Sequence, residues 1–257
     1  MATAAAPQDA PVQGTRFFTI MAFVMSAIII AGFSLNLAMG RSSFDVPWPF
    51  HFHGVIFMSW IGLYLAQHVS IHSGNRSLHA KLGKLAYVWV PLMVVAGITV
   101  IVTAARRNGG PFFFDVNEFF VSNTALLLCF GGLAYGALRQ RRYTGWHRRL
   151  MLCAMAILTG PGLGRLLPLP LMIPNAWTIT FLVTLIFPVI GMIADKRRDG
   201  GIHPAYKWGT GIYVGTFVLS MLLAYSPLGF AITEWVIDGT PGAERPMQAF
   251  QPPGFSM

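Results

Sequence analysis

Stretches free of Asp, Glu, Lys and Arg recur along the chain at a length that a bilayer sets. Residues 17–40, 46–75, 85–105, 119–138 and 208–233 each reach or pass the roughly 20 residues an α-helix needs to cross hydrocarbon. A shorter run, 150–164, is closed by Arg165. The long apolar run after it begins once Pro168, Pro170, Pro174 and Asn175 have made a turn. The pattern predicts an all-α integral membrane fold of seven transmembrane helices, spans 1 to 7. A disordered segment, residues 1–15, is expected before a membrane domain over 16–233, and an irregular tail rich in Pro and Gly, 234–257, after it.

Composition agrees with that reading. Hydrophobic residues make up 54% of the 257 and charged ones only 11%, with a mean hydropathy of +0.58, where soluble domains carry about 25% charge. Arginine and lysine set the orientation, because cytoplasmic loops hold them in excess. With the N-terminus inside, the inner segments collect Arg16, Arg76, Lys81, Lys84, Arg139, Arg141, Arg142, Arg148, Arg149, Lys196, Arg197, Arg198 and Lys207, which is 13 of the 18 basic residues. The N-terminus is therefore expected in the cytoplasm and the C-terminus outside. A net charge of +9 beside membrane spans is what topology and anionic lipid require, so the basic balance does not point to nucleic acid. The first apolar run lacks a basic leader and is too long for a secretory h-region, so it is read as an uncleaved span. Cys129 and Cys153 fall within spans at different depths and read as buried apolar residues rather than a disulfide.

Two short stretches repeat a pattern. Leu78-His79-Ala80-Lys81-Leu82 and Trp146-His147-Arg148-Arg149-Leu150 both read apolar, His, any residue, basic, Leu, at an offset of 68 residues. Each closes a cytoplasmic loop and opens an outward-running span. Spans 2 and 3 and spans 4 and 5 thus look like two copies of one hairpin, forming a four-helix bundle over about 47–171 with spans 1, 6 and 7 outside it. At a helix start the free amides and the dipole favour anions over an imidazolium. His79 and His147 are therefore expected as neutral imidazoles, able to ligate a transition metal or haem iron. Arg148, Arg149, Lys81 and Lys84 beside them could hold a carboxylate or phosphate. The alternative is that both histidines sit at the lipid interface and donate to loop carbonyls.

Span 2 reads PWPFHFHGVIFMSWIGLYLAQHVSIH. His51 and His53 point about 200° apart on a helix, so one of them faces the bundle, and His53 is the choice. From His53, the residues Phe57, Trp60, Tyr64 and Gln67 follow at spacings of 4, 3, 4 and 3, on one face, with His68 near its edge. Such an aromatic and polar stripe suits a cofactor or quinone slot, a path for electrons or protons, or a plain packing face. His53 and His68 stand about 23 Å apart along the axis, the spacing by which diheme b-type cytochromes hold two stacked haems. Outside span 2, however, histidines occur only towards the inner side, at His79, His147 and His203. One inner-side haem b or metal, with ligands drawn from His68, His79 and His147, is what the supply of histidine allows. On span 5, Arg165 follows His147 by 18 residues, five turns or about 27 Å, on the same face. Between them TGPGLG is expected to break or kink the helix. Arg165 is expected to pair with Asp115 or Glu118, or to reach the outer headgroups.

His53, Gln67 fourteen positions on, LHAKLGKLAY, and HRRLM with Arg165 eighteen residues after its His together resemble a bacterial family of predicted polytopic membrane proteins classed as a domain of unknown function. The resemblance covers about 49–170. It implies a bacterial inner-membrane location with a periplasmic C-terminus, and it picks out His53, Gln67, His79, His147 and Arg165. Ala80, Lys81, Lys84 and Leu150 depart from the family pattern, which tends to Arg or Trp there. The family brings no activity with it. Three functions remain in view: a redox protein holding haem b or a metal, with a quinone or other membrane redox partner; a solute or proton pathway; and a structural or assembly subunit, as a homo-oligomer or within a larger complex. No nucleotide motif, activated nucleophile or paired carboxylate occurs, which argues against a hydrolase or ATP-driven pump.

Overall fold

The computed structural model describes residues 14–252 and 254, and among these the chain is helical, with no strand. In order it forms α1 (Thr15–Ala38), α2 (Trp48–His72), α3 (Arg76–Asn108), one turn of π-helix (Glu118–Ser122) leading into α4 (Asn123–Arg139), α5 (Thr144–Leu166), α6 (Ala176–Thr184), α7 (Ile186–Asp199), α8 (Pro204–Ala224) and α9 (Pro227–Ile237). Local chemistry sets several ends. The Asn75 side chain accepts from Leu78 N–H at 3.0 Å to open α3, and Ser226 accepts from Gly229 N–H at 3.1 Å to open α9. Gly109 and Gly200 close α3 and α7 in the left-handed conformation, at φ 70° and 74°. Of the expected disordered N-terminal segment, only Gly14 and Thr15 lie within the described residues, and Thr15 opens α1.

Five helical stretches are long and apolar enough to cross a membrane: α1, α2, α3, Glu118–Arg139 and Ala176–Asp199. The pair α8 and α9, bent by 76° at Tyr225–Ser226, makes a sixth if counted as one span. Missing from that set is α5, although its 23 residues form one helix. Its histidine, three arginines and glycines lower its mean hydropathy, and its position explains why that is tolerated. From 149 to 159 every residue of α5 is buried, because α1, α4, α6, α7 and α8 all pack against it. A helix covered on every side does not need a lipid-compatible surface. Around it, α2 packs on α3 and α3 on α4, α1 also packs on α2, and α8 packs on α4.

The crossing of α1 and α5 is a backbone contact. A Cβ on Gly32 would lie 2.3 Å from the Gly162 carbonyl oxygen, and one on Gly162 would lie 2.8 Å from Ile29 Cα. The glycines of TGPGLG therefore admit a close helix pair, as small residues do in membranes, and α5 runs through Pro161 as a continuous helix rather than breaking there.

At the arginine-rich end, α5 is fixed to α7 by a buried ion pair. Arg149 and Asp195 are 2% and 1% exposed, and the guanidinium donates to both carboxylate oxygens at 2.7 Å. Arg149 also donates to the Gly145 carbonyl at 3.0 Å. Arg198 adds a bond to Asp195 at 2.8 Å, and His203 N–H one at 3.3 Å. The ring of His203 caps α8 by accepting from Ala205 N–H at 3.1 Å. Loss of hydration, followed by the Arg149 charge, holds that imidazole below its usual range, which favours the neutral, accepting form.

Residues after α9 are strapped to the loop between α3 and α4. Arg245 Nη1 donates to the carbonyls of Gly109, Gly110 and Pro111 at 2.9, 2.8 and 3.0 Å, and its Nη2 to that of Phe114. Val116 N–H donates to the Met247 carbonyl at 2.8 Å, and Phe250 N–H to that of Phe112 at 3.1 Å.

Removing one partner of the buried pair strands a charge, at a cost of about 3–5 kcal/mol. Asp195→Ala is expected to lose stability by that order in unfolding measurements in detergent, while Arg149→Met combined with Asp195→Leu recovers most of it. A double variant as unstable as Asp195→Ala would show that the two side chains are not coupled.

Candidate functional site

The seam of α2 enters the interior. Trp60 and Tyr64 are 2% and 4% exposed. Trp60 Nε1 donates to Met155 Sδ of α5 at 3.1 Å, and its ring meets Phe130 of α4 edge-on at 6.0 Å. One turn on, Tyr64 meets the half-buried His68 edge-on at 4.6 Å. Of the two histidines at the start of α2, His51 is exposed and His53 half-buried.

Gln67 ties α2 to the start of α3. Its amide faces Gly83, where a Cβ would come within 3.3 Å of it. With its oxygen toward that residue, the amide accepts from Gly83 N–H at 2.7 Å and donates to the His79 carbonyl at 3.0 Å. The same amide nitrogen lies 2.6 Å from His79 Nδ1, and the Gln67 main-chain carbonyl lies 3.3 Å from that atom on another side. His79 Nδ1 thus has both a donor and an acceptor in reach.

His147, at the start of α5, has its Nδ1 2.8 Å from the Ala137 carbonyl of α4. A carbonyl only accepts, so Nδ1 carries the proton and, in the neutral ring, Nε2 carries the lone pair. The rings of His79 and His147 stand 6.3 Å apart and nearly perpendicular, at 86°. Among the described residues neither Nε2 makes a hydrogen bond. His68 lies within electrostatic reach of both rings, so α2, α3 and α5 bring three imidazoles to one region. Among the described residues no group of three or more His, Cys, Asp or Glu is placed to hold a metal ion.

The basic residues at this end are used unequally. Arg149 has an internal carboxylate in Asp195, and the Arg148 guanidinium lies 4.7 Å from the Phe18 ring centroid. Lys81 and Lys84 are exposed. Arg139, Arg141 and Arg142 with Tyr87 line a cleft of about 520 Å³. There Tyr87 Oη donates to the Leu138 carbonyl at 3.1 Å and accepts from Arg141 at 2.5 Å.

At the other end of α5, Arg165 lies with its guanidinium 3.9 Å from the Phe33 ring centroid of α1 and donates to the Pro161 carbonyl at 2.8 Å. The expected pairing with Asp115 or Glu118 is not made. Asp115 accepts instead from Tyr225 Oη at 2.8 Å and Ala249 N–H at 2.7 Å, and among the described residues Arg165 has no ion pair. His53 packs on Phe57, ring centroids 4.0 Å apart and tilted by 33°. Its Nδ1 is shut from solvent, with no partner among the described residues.

Helical transmembrane-type architecture, with a buried helix carrying histidine at one end and arginine at the other, is therefore the class this fold defines. The chain matches no protein-family model, no curated protein and no solved structure.

Reasoning from sequence assigned no role to Asp195 and took up Gly83 only within a motif. The place of Asp195 beside Lys196, Arg197 and Arg198 was the available signal. Gly83, four residues after His79, marked the close approach of a polar side chain. Replacing Gln67 by Leu removes two bonds between α2 and α3 and is expected to cost about 1–3 kcal/mol, read as a lower unfolding midpoint in detergent. An unchanged midpoint would mean that Gln67 does not bridge the helices.

Proposed function

We propose that the chain is a seven-span protein of the bacterial inner membrane, N-terminus cytoplasmic, that binds haem b between His79 and His147 for electron transfer. Membership of the family its motifs resemble, with α5 as a seventh crossing, belongs to the same reading; the packing of α1, α6, α7 and α8 on α5 does not fit a bundle of spans 2 to 5 that leaves the other spans outside. One observation carries it: the imidazoles of His79 on α3 and His147 on α5 stand 6.3 Å apart and nearly perpendicular, with the His147 ring anchored through Nδ1. A histidine that ligates a metal commonly donates its other ring N–H to a carbonyl, which fixes tautomer and orientation.

The donor set fits haem better than a bare ion. His79 and His147 would be enough to hold a haem iron, whereas a free-standing transition metal would need three or four protein ligands. Haem bound there supplies one-electron chemistry. The chain's own residues do the rest. The Ala137 carbonyl holds the His147 lone pair outward, the Gln67 main-chain carbonyl would accept from His79 Nδ1–H once the Gln67 amide turns its nitrogen away from that atom, and the cleft of Arg139, Arg141 and Arg142 offers cations for acidic groups. A membrane quinone suits such a centre as a redox partner.

A second reading rests on a different contact. With the Gln67 amide donating to His79 Nδ1, His79 carries its proton on Nε2 and faces a region where His147 presents a lone pair. That arrangement suits proton transfer without any cofactor.

Purified protein should show a Soret band that shifts on dithionite reduction, with stoichiometric iron. His79→Ala or His147→Ala should abolish the band, and His203→Ala should keep it. Haem retained in both of the first two variants, or no Soret band in the parent, would sink the haem reading. In the second case proton flux in proteoliposomes that depends on His147 is the expected result of the proton reading.

A further inference from the structure

Three arginines gather at the end of α4 with no acid among them. Arg139 closes the helix, and Arg141 and Arg142 follow in the turn to α5. With Tyr87 of α3 they line the cleft of about 520 Å³, and all three are exposed. Every ion pair among the described residues joins Arg149 or Arg198 to Asp195 or Asp199, so none of the three has a carboxylate. The negative end of a helix dipole and the bias of basic residues to one side of a membrane both call for positive charge here. Neither calls for its arrangement.

That arrangement is fixed from α3. Tyr87 Oη donates to the Leu138 carbonyl at 3.1 Å, which leaves its lone pairs for Arg141, whose Nη1 donates to it at 2.5 Å. The Arg141 guanidinium also lies 5.8 Å from the Tyr87 ring centroid. An exposed arginine ordinarily keeps its rotamer freedom, yet this one is held by a residue 54 positions away in sequence, with further N–H groups to give. Guanidiniums gathered in one cleft repel, and an anion that accepts from several of them at once relieves that repulsion.

The surface that leads away from the cleft is apolar. Tyr135, one turn before Arg139, is exposed and meets Tyr87 edge-on at 6.4 Å. Leu128, two turns further back on α4, is exposed, as are Val88, next to Tyr87, and Val95, two turns along α3. Cations, then two tyrosines, then exposed aliphatic side chains is the order in which a bilayer presents headgroup, interface and hydrocarbon.

We propose that Arg139, Arg141 and Arg142, with Arg141 positioned by Tyr87, bind the phosphate of an anionic phospholipid whose acyl chains lie along the exposed apolar surface of α3 and α4. The inference rests on the membrane placement in the reading above and is independent of haem.

The test titrates the full-length protein in detergent with phosphatidylglycerol, phosphatidylcholine and inorganic phosphate separately, read by native mass spectrometry with the unfolding temperature alongside. Phosphatidylglycerol is expected to bind about tenfold or more tightly than phosphatidylcholine, whose choline cation the arginines repel. Arg139→Gln with Arg142→Gln should weaken it by about tenfold or more, and Tyr87→Phe by less. Lys196→Gln with Arg197→Gln removes as much exposed charge at the same end of the molecule and should leave it unchanged. If the double arginine variant does not fold, Arg141→Gln carries the comparison. Equal binding of the two lipids, or an equal loss in both double variants, would overturn the site; inorganic phosphate bound as tightly as phosphatidylglycerol would overturn the lipid, and parental binding by Tyr87→Phe the positioning of Arg141. A chain recovered from cells in the soluble fraction would overturn the membrane reading as well, whereas a membrane-bound chain without lipid selectivity would overturn this inference alone.

Discussion

The buried Arg149–Asp195 pair decides how the other helices can be arranged. It sits where α5 meets α7, with both side chains almost wholly shielded, and it lets a helix that begins Trp-His-Arg-Arg run through the protein interior instead of along lipid. Inside, two unpaired charges would cost more than any packing gain could offset. Paired, with Gly145, Arg198 and His203 taking further bonds, they become a joint between α5, α7 and the start of α8. The rest of α5 can then be apolar, small and tightly packed.

That central position has a consequence at each end. Because α5 is surrounded, its first turn lies against the last turn of α4, whose free carbonyl at Ala137 receives His147 Nδ1. A helix C-terminus leaves such carbonyls unpaired, so the imidazole both satisfies the backbone and acquires a defined tautomer. Towards the other end, the glycines that bring α1 within backbone distance of α5 also fix Phe33 over Arg165. The chemistry at both ends follows from packing decisions made elsewhere along one helix.

Much of this was legible in the sequence, for reasons that can be stated residue by residue. Apolar length identified α1, α2 and α3, because a lipid-facing helix advertises itself in composition. The spacing of Trp60, Tyr64 and Gln67 placed them on one face because helical periodicity is fixed by geometry, and Trp60 and Tyr64 are buried. What escaped were properties that depend on partners distant in sequence. TGPGLG read as a break or a kink because glycine and proline weaken a helix locally; the helix is unbroken, and Ile29 and Gly32 from α1 supply the reason for the glycines. Of the two expectations for Arg165, pairing with Asp115 or Glu118 fails because Tyr225 and Ala249 occupy the Asp115 carboxylate; reach towards the headgroups stays open. The tail read as irregular on composition, while Arg245 binds it to a loop more than 130 residues away in sequence.

Gln67 is where the haem reading and the proton reading proposed for His79 part. With its nitrogen 2.6 Å from His79 Nδ1, the amide leaves the imidazole proton on Nε2 and the ring cannot ligate. A half-turn of the amide puts oxygen in place of nitrogen; Nδ1 then becomes the donor and Nε2 gains the lone pair. That turn sacrifices the bonds to Gly83 N–H and the His79 carbonyl, about 1 kcal/mol each. Metal–imidazole bonds are worth far more: the several ligand bonds of a structural zinc site together reach about 10 kcal/mol or more. On the haem reading the amide would have to make that turn, at a cost small beside ligation; on the proton reading it stays as it is.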